Sequence, residues 1–163
     1  MLCELALIKT DKRPINNLYM PHGGRNQEKM EFKLEAYKYI TNYFLQSQVQ
    51  NKILLGDFNI AYAAADLARP VQNKNNTMFT IKERNAFLYL LKSGFVDAYR
   101  LNNKLKTEYT WWPYAFKARK RNIGWRIDYV LLPISLIHKK HKIQILNDIM
   151  GSDHCPIMVD IDI

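Results

Sequence analysis

The sequence has little cysteine, no long apolar run and too few acids for its bases. Its two cysteines, Cys3 and Cys155, stand at opposite ends of 163 residues. A pair so placed is no disulfide framework, and a reducing, cytoplasmic setting is the expectation. No apolar stretch approaches the roughly 18 residues of a membrane-spanning helix. The opening MLCELALIKTDKR sets apolar residues ahead of charges, the reverse of a secretory leader. Low-complexity tracts and internal repeats are missing too. Acidic residues are the other shortage, 15 Asp and Glu against 24 Lys and Arg, a formal charge of +9. Such an excess favours a polyanionic partner, nucleic acid first among them.

What is present suits a single globular domain. The length can bury a sizeable core, and 48% of the residues are hydrophobic enough to fill one. Ile15 to Met20 reads as a strand that stops at the turn formers Pro21-His22-Gly23-Gly24. From Asn26 to Gln48 the period becomes helical, with Leu34, Tyr37, Ile40 and Phe44 as one apolar stripe. Lys52 to Leu55 is a short buried strand leading into Gly56-Asp57-Phe58-Asn59. Asp66 to Thr77 has the composition of a long surface loop. Thr80 with Glu83 three residues on makes a capping box for a second helix, which carries Phe87, Leu88 and Leu91 and stops at Gly94. Trp125 to Leu132, Lys142 to Leu146 and Ile157 to Ile163 complete the strands. Strands alternating with helices predict an α/β layered fold with no linker to divide it.

Four stretches carry candidate chemistry. In GDFN, Asp57 and Asn59 share a face if the strand continues and could present oxygens to a hard cation or a reacting water. The same tetrapeptide also suits an Asx turn closing the strand. Asp128 lies in Ile127-Asp128-Tyr129-Val130-Leu131-Leu132, where a carboxylate is costly unless paired. Its partner is Arg126, a metal, or His154, which Asp128 would orient and keep charged. Near the end, Met150-Gly151-Ser152-Asp153-His154-Cys155-Pro156-Ile157 sets an acid beside an imidazole. Cys155 is read as a small buried hydrophobe rather than a nucleophile. His138 and His141 read as surface residues.

Between these, six aromatics (Tyr109, Trp111, Trp112, Tyr114, Phe116, Trp125) share a segment with Lys117, Arg119, Lys120, Arg121 and Arg126. Cations neutralise phosphates and rings stack on bases or line a sugar pocket, while a core of tryptophans with a solvated basic rim would look the same.

Taken in order, the tyrosine–proline pair of NLYMP, LLGDFN, TWW with NIGWRIDY, and GSDHCP resemble the exodeoxyribonuclease III / class II apurinic-apyrimidinic endonuclease family, within the wider endonuclease/exonuclease/phosphatase superfamily. The match runs from about Asn17 to the C-terminus. The resemblance implies a four-layer α/β sandwich of the DNase I-like type that hydrolyses DNA phosphodiesters 5′ of abasic sites, with 3′-5′ exonuclease potential. It implies Mg²⁺, with Mn²⁺ able to substitute, and double-stranded DNA with abasic sites or 3′ ends as partner, with no membrane. By the same resemblance Tyr19, Asp57, Asn59, Asp128 and His154 are catalytic, and Asp57, Asn59, Asp153 and His154 surround the metal. Trp111, Trp125 and Ile127 would wall the abasic-sugar pocket, and Lys117, Arg119, Lys120, Arg121 and Asn122 would lie along the DNA.

There are departures. His22 stands where relatives often carry Asn or Gln. MLCELALIKTDKRPINN has neither the family's N-x-N-G strand nor the Gln-Glu pair whose glutamate is its principal metal ligand. The expectation is a domain over residues 1–163 without its N-terminal strands, self-associating or completed by another segment. The competing reading is an inactive remnant that keeps a basic DNA-binding face.

Overall fold

In the computed structural model the described residues are 4–9, 14–47, 52–104 and 106–162. The strand expected at Ile15 forms as β2 (Pro14–Tyr19), flanked on one side by an antiparallel β1 (Glu4–Lys9). On its other side β2 runs parallel to β3 (Ile53–Asp57), a pairing that needs a crossover, and α1 (Met30–Gln46) supplies it. β3 then pairs antiparallel with β5 (Asp128–Pro133), and β5 with the short β4 (Phe95–Asp97). The sheet order is β1-β2-β3-β5-β4. A separate two-stranded sheet joins β6 (His141–Ile145) to β7 (Ile157–Ile161).

The alternation of side chains divides the core. Leu18, Leu54, Tyr129 and Leu131 point to one face, where they meet Tyr37, Ile40 and Phe44 of α1 and Phe87 and Leu90 of α3 (Ile81–Lys92). Ile53, Val130 and Leu132 point to the other and pack against Ile143, Ile157, Val159 and Ile161 of the second sheet. Helices, large sheet and small sheet therefore stack in layers. Among the described residues no helix is long and apolar enough to cross a membrane.

Local signals held at several ends. The Thr80 hydroxyl accepts from the Glu83 backbone N–H at 3.3 Å and the Glu83 carboxylate accepts from the Thr80 N–H at 2.9 Å, a complete capping box. Thr80→Ala is expected to cost about 1 kcal/mol of stability. Urea unfolding that shows no loss would contradict the cap's contribution.

Other expectations shift. The first helix begins at Met30 rather than Asn26, because Gly23 and Gly24 take φ of 95° and 83° and the Gly23 carbonyl accepts the Lys29 N–H, turning the chain before the helix starts. The expected helix end at Gln48, the strand end at Ile163 and Cys3 lie outside the described residues. β5 begins at Asp128 rather than Trp125, since Trp125 forms single bridges to Leu67 and Trp111 and the Arg126 N–H is taken by the Asp66 carbonyl.

The expected surface loop from Asp66 to Thr77 is the largest correction. Asp66, Leu67 and Thr77 are buried, and α2 (Pro70–Asn73) lies between them. The physical reason is Arg126, itself fully buried. Its guanidinium donates to Asp66 Oδ1 at 2.8 Å and to Asp97 Oδ2 at 2.6 Å, while Asp66 also accepts from Arg100. A carboxylate goes inside when cations and backbone N–H groups meet it there.

Candidate active site

Strand register brings the acids together. Tyr19 on β2 stands opposite Asp57 on β3, and Asp57 stands opposite Asp128 on β5, so three strands end at one rim with polar side chains. The chain after Asp57 turns sharply. Asn59 adopts φ 51°, its N–H donates to Asp57 Oδ1 at 2.8 Å, and its carboxamide donates to Asp57 Oδ2 at 3.0 Å and to the Met20 carbonyl at 2.9 Å. The Asx turn that GDFN suggested is thus formed, and it fixes the carboxylate that the chemistry would use.

The loop before β7 delivers His154 to the same rim. Its Nδ1 lies 2.9 Å from Asp128 Oδ2, the geometry of an N–H donating to a carboxylate, which leaves Nε2 as the ring nitrogen that Asp128 does not engage. Asp128 therefore pairs with His154, and Arg126 is committed elsewhere. Asp153 turns toward Trp111, whose indole N–H donates to its Oδ2 at 2.9 Å. The Trp111 and His154 backbones also form a bridge, so the tryptophan braces both residues of the pair.

The electrostatics follow from this crowding. Burial, and then the charge of Asp128, push the Asp57 carboxyl up to about 7, against the hydrogen bond from Asn59 and the positive charges of His154 and Lys33. Burial alone would lower His154, but the hydrogen bond and charge of Asp128, with Asp57 and Asp153, outweigh it and raise the imidazole above its ordinary value. Burial works to raise Asp153 as well, yet the Trp111 indole and other donors hold it below the usual carboxylate range. Two acids and an imidazole at one rim thus have distinct proton affinities, the pattern that proton-transfer chemistry requires.

A buried cation supports the turn from below. The ammonium of Lys33, with no exposed side-chain surface, donates to Glu83 Oε1 at 2.6 Å, to the Asn59 carbonyl at 2.7 Å and to the His22 carbonyl at 3.0 Å. Sequence reasoning missed this pair, although the signal was there: Lys33 continues the apolar stripe of Tyr37, Ile40 and Phe44 one turn back.

The other residues implied as DNA contacts divide into three groups. Ile127 and Trp125 are buried, 1% and 8% exposed, in a cluster with Ala61, Leu67, Met78 and Phe79. Each ring or branched chain is worth more to stability inside than in water, so both contribute to this cluster. Trp111 stays half-buried beside them. Arg119, half-buried, and Asn122, exposed, both make contacts within the fold. Arg119 donates to the carbonyls of Ser152, Asn147 and Ile149 at 2.8, 3.0 and 2.7 Å and lies over the Trp112 ring, and Asn122 Oδ1 accepts from the Trp112 indole at 3.3 Å. The arginine thereby ties the basic segment to the loop that carries Asp153 and His154. Gly124 is required here, since a side chain would meet the Trp112 indole nitrogen at 2.4 Å. Lys117, Lys120 and Arg121 are exposed, as are Tyr114 and Phe116, the last two 80% and 86% exposed.

Cys155 is buried and donates to the Tyr109 carbonyl, and burial pushes its thiol up to about 11, which suits a packing residue. His138 is exposed, but His141 is half-buried at the start of β6, where its Nδ1 meets the Lys139 carbonyl, so only the first reads as expected.

These residues do not by themselves fit a magnesium ion. Among the described residues no three His, Cys, Asp or Glu side chains converge as metal ligands. Asp57 takes two hydrogen bonds from Asn59, Asp128 is occupied by His154, and one oxygen of Asp153 by Trp111. A hard cation takes about six oxygen ligands, so any such ion needs donors beyond these.

Stacked sheets with an Asp–His pair and a second, half-buried acid at the strand ends define a layered α/β protein with its titratable groups gathered at one rim. The chain belongs to the Endonuclease/Exonuclease/phosphatase family, whose model matches residues 31–154. It is 39% identical over 151 residues to an exodeoxyribonuclease of Bacillus subtilis (strain 168), an alignment over 91% of this chain and 60% of that protein. It is 35% identical over 172 residues to a DNA-(apurinic or apyrimidinic site) endonuclease of Dictyostelium discoideum, over 98% of this chain and 46% of that one. An AP endonuclease from Archaeoglobus fulgidus superposes with a TM-score of 0.88 at 28% identity, over 98% of this chain and 65% of its own. A 3′ phosphatase from Neisseria bound to a product DNA hairpin gives 0.90 at 25%, over 97% and 64%. The chain thus spans roughly half to two thirds of each of these proteins.

Proposed function

We propose that the protein acts on damaged DNA as a nuclease, hydrolysing the phosphodiester 5′ of an abasic site. The observation that carries this reading is the meeting of Asp57, Asp128 and His154 at one strand rim. In it Asp128 keeps His154 protonated, and the other ring N–H, at Nε2, donates to a phosphate oxygen, offsetting the charge that grows there as water adds to phosphorus. Asp57, with a pKa near neutrality, exchanges a proton at the same centre, held in place by both donors of Asn59. Tyr19, opposite Asp57 in the ladder, borders the phosphate. The names of the relatives support DNA as the substrate, and the exposed Lys117, Lys120 and Arg121 support its binding.

A second reading, DNA binding without incision, is favoured by the incomplete set of cation ligands. One experiment separates the two: the protein is incubated with a duplex bearing a single abasic site, with and without Mg²⁺ or Mn²⁺. Metal-dependent incision on the 5′ side supports the nuclease. Retained duplex binding with no incision supports the second reading, and neither binding nor incision defeats both.

Binding itself has a salt signature. Each phosphate contact adds about −0.9 to the slope of log K against log[salt], so Lys117→Ala/Lys120→Ala/Arg121→Ala is expected to flatten it by about 2 to 3. Fluorescence anisotropy across a salt series measures it. An unchanged slope would remove this segment from the DNA face.

A further inference from the structure

We propose that the groove between α1 and α3 docks an acidic amphipathic helix of a partner protein. The two helices pack together and send Ile40, Phe44, Phe87 and Leu90 into the core, but their outer flanks do not close on each other. A cavity of about 620 Å³ remains between them. Its floor is formed by Tyr37, Thr41 and Ala86, and its walls by Leu45 and Tyr89, which are 61% and 67% exposed. Single exposed apolar side chains are ordinary on a monomer, whereas two facing each other across a concavity over an uncharged floor mark a surface that another chain can cover.

The charges around the groove select the occupant. Lys38, Lys82 and Lys92 line it, and no aspartate or glutamate does. Each of the three is exposed, and none has an ion pair among the described residues. An anionic partner is therefore favoured at the rim, where complementary charge speeds encounter and fixes orientation. The floor then decides between classes of anion. A phosphate backbone gains from three ammonium groups but nothing from Leu45, Ala86 or a buried tyrosine. A helix with apolar residues at i, i+3 or i+4, and i+7, and carboxylates beside them, satisfies rim and floor together. None of the groove residues belongs to the candidate active site, so the surface serves assembly or recruitment rather than the chemistry, and it stands whether or not the nuclease reading does.

The test uses the whole chain and a synthetic 18-residue peptide with leucine and phenylalanine on one helical face and glutamate elsewhere. Controls are a scrambled peptide of equal composition, a version with lysine for glutamate, and an 18-nucleotide single-stranded DNA. The acidic peptide is expected to bind at least tenfold tighter than the scrambled one and to shift the NMR signals of residues 38, 42, 45, 85 and 89. Leu45→Ser/Tyr89→Ser is expected to weaken it at least tenfold. Lys38→Glu/Lys82→Glu/Lys92→Glu should do the same and reverse the preference toward the basic peptide. All five side chains are exposed, and thermal unfolding checks that each variant stays folded. Equal binding of the scrambled peptide, an affinity unmoved by either variant, tighter occupation of the same residues by the DNA, or dimerisation of the chain through this face would each overturn the proposal.

Discussion

His154→Ala is expected to slow incision of abasic-site DNA by about 10²–10⁴ while leaving the fold intact, because it removes a positioned charge and proton donor from the reacting phosphate. The side chain is 31% exposed, hydrogen-bonded to Asp128 and beside the Trp111 ring, so its loss opens no large cavity. A purified, folded variant that nicks as fast as the parent would defeat the assignment. The pH dependence of the parent follows from the two shifted groups. Asp57, pushed up to about 7, becomes a carboxylate only as pH rises through neutrality, so the rate should climb there. His154, raised above its ordinary value, is cationic below its folded pKa and loses that charge at higher pH, so the rate should fall again. In Asp128→Asn both limbs should move to lower pH, since the same anion raises both groups. Limbs that stay in place would show that Asp128 does not set the proton affinities of the pair.

Arg126→Met should be the most damaging substitution for stability, at about 3–5 kcal/mol. It leaves Asp66 and Asp97 buried, with Asp97 stripped of its guanidinium partner and Asp66 keeping Arg100 as its cation and the Ala63 backbone N–H. Small domains are stable by only about 5–15 kcal/mol, so the variant should unfold at much lower urea or fail to accumulate folded. Arg100→Met gives the contrast. Its side chain is 15% exposed and Asp66 would retain Arg126, so a smaller loss is expected. A loss within about 1 kcal/mol for Arg126→Met would mean that the buried network is not what holds the Asp66 segment inside.

Much of the layered fold was legible because its signals are local. Tyr37, Ile40 and Phe44 repeat at helical spacing, Thr80 and Glu83 announce a helix start, and Ile53-Leu54-Leu55 reads as a buried strand, of which Ile53 and Leu54 are buried and Leu55 partly so. The candidate site was legible in part for a similar reason: a carboxylate inside IDYVLL has to be paired, and one of its named candidates, His154, is the partner observed. What stayed hidden depends on contacts across the chain. Nothing near Asp66 in the sequence tells of Arg126, so a buried anchor read as a loop. Arg119 looked like its neighbours Lys117 and Lys120, because composition does not record that three carbonyls of a distant loop end at its guanidinium. Trp125 and Ile127 matched a motif, but their depth is set by Leu67, Met78 and Phe79, which no spacing rule connects to them.

The alignment of Tyr19, Asp57, Asp128 and His154 along one rim has a consequence for how the molecule is made. The first and last of these stand near opposite ends of the chain, and each joins the group only through a non-local strand pairing or the loop ahead of β7. Such contacts form late and slowly, since the closure of long loops precedes the gain from pairing. The rim should therefore be among the last features to mature during refolding. It should also be among the first to come apart, because His154 lies in the loop ahead of β7 and the two strands of the small sheet hydrogen-bond as a ladder only with each other among the described residues. Native-state hydrogen exchange should show the amides of β6 and β7 opening before those of β3 and β5, and the chemistry should vanish at denaturant levels where the helices and the large sheet still stand.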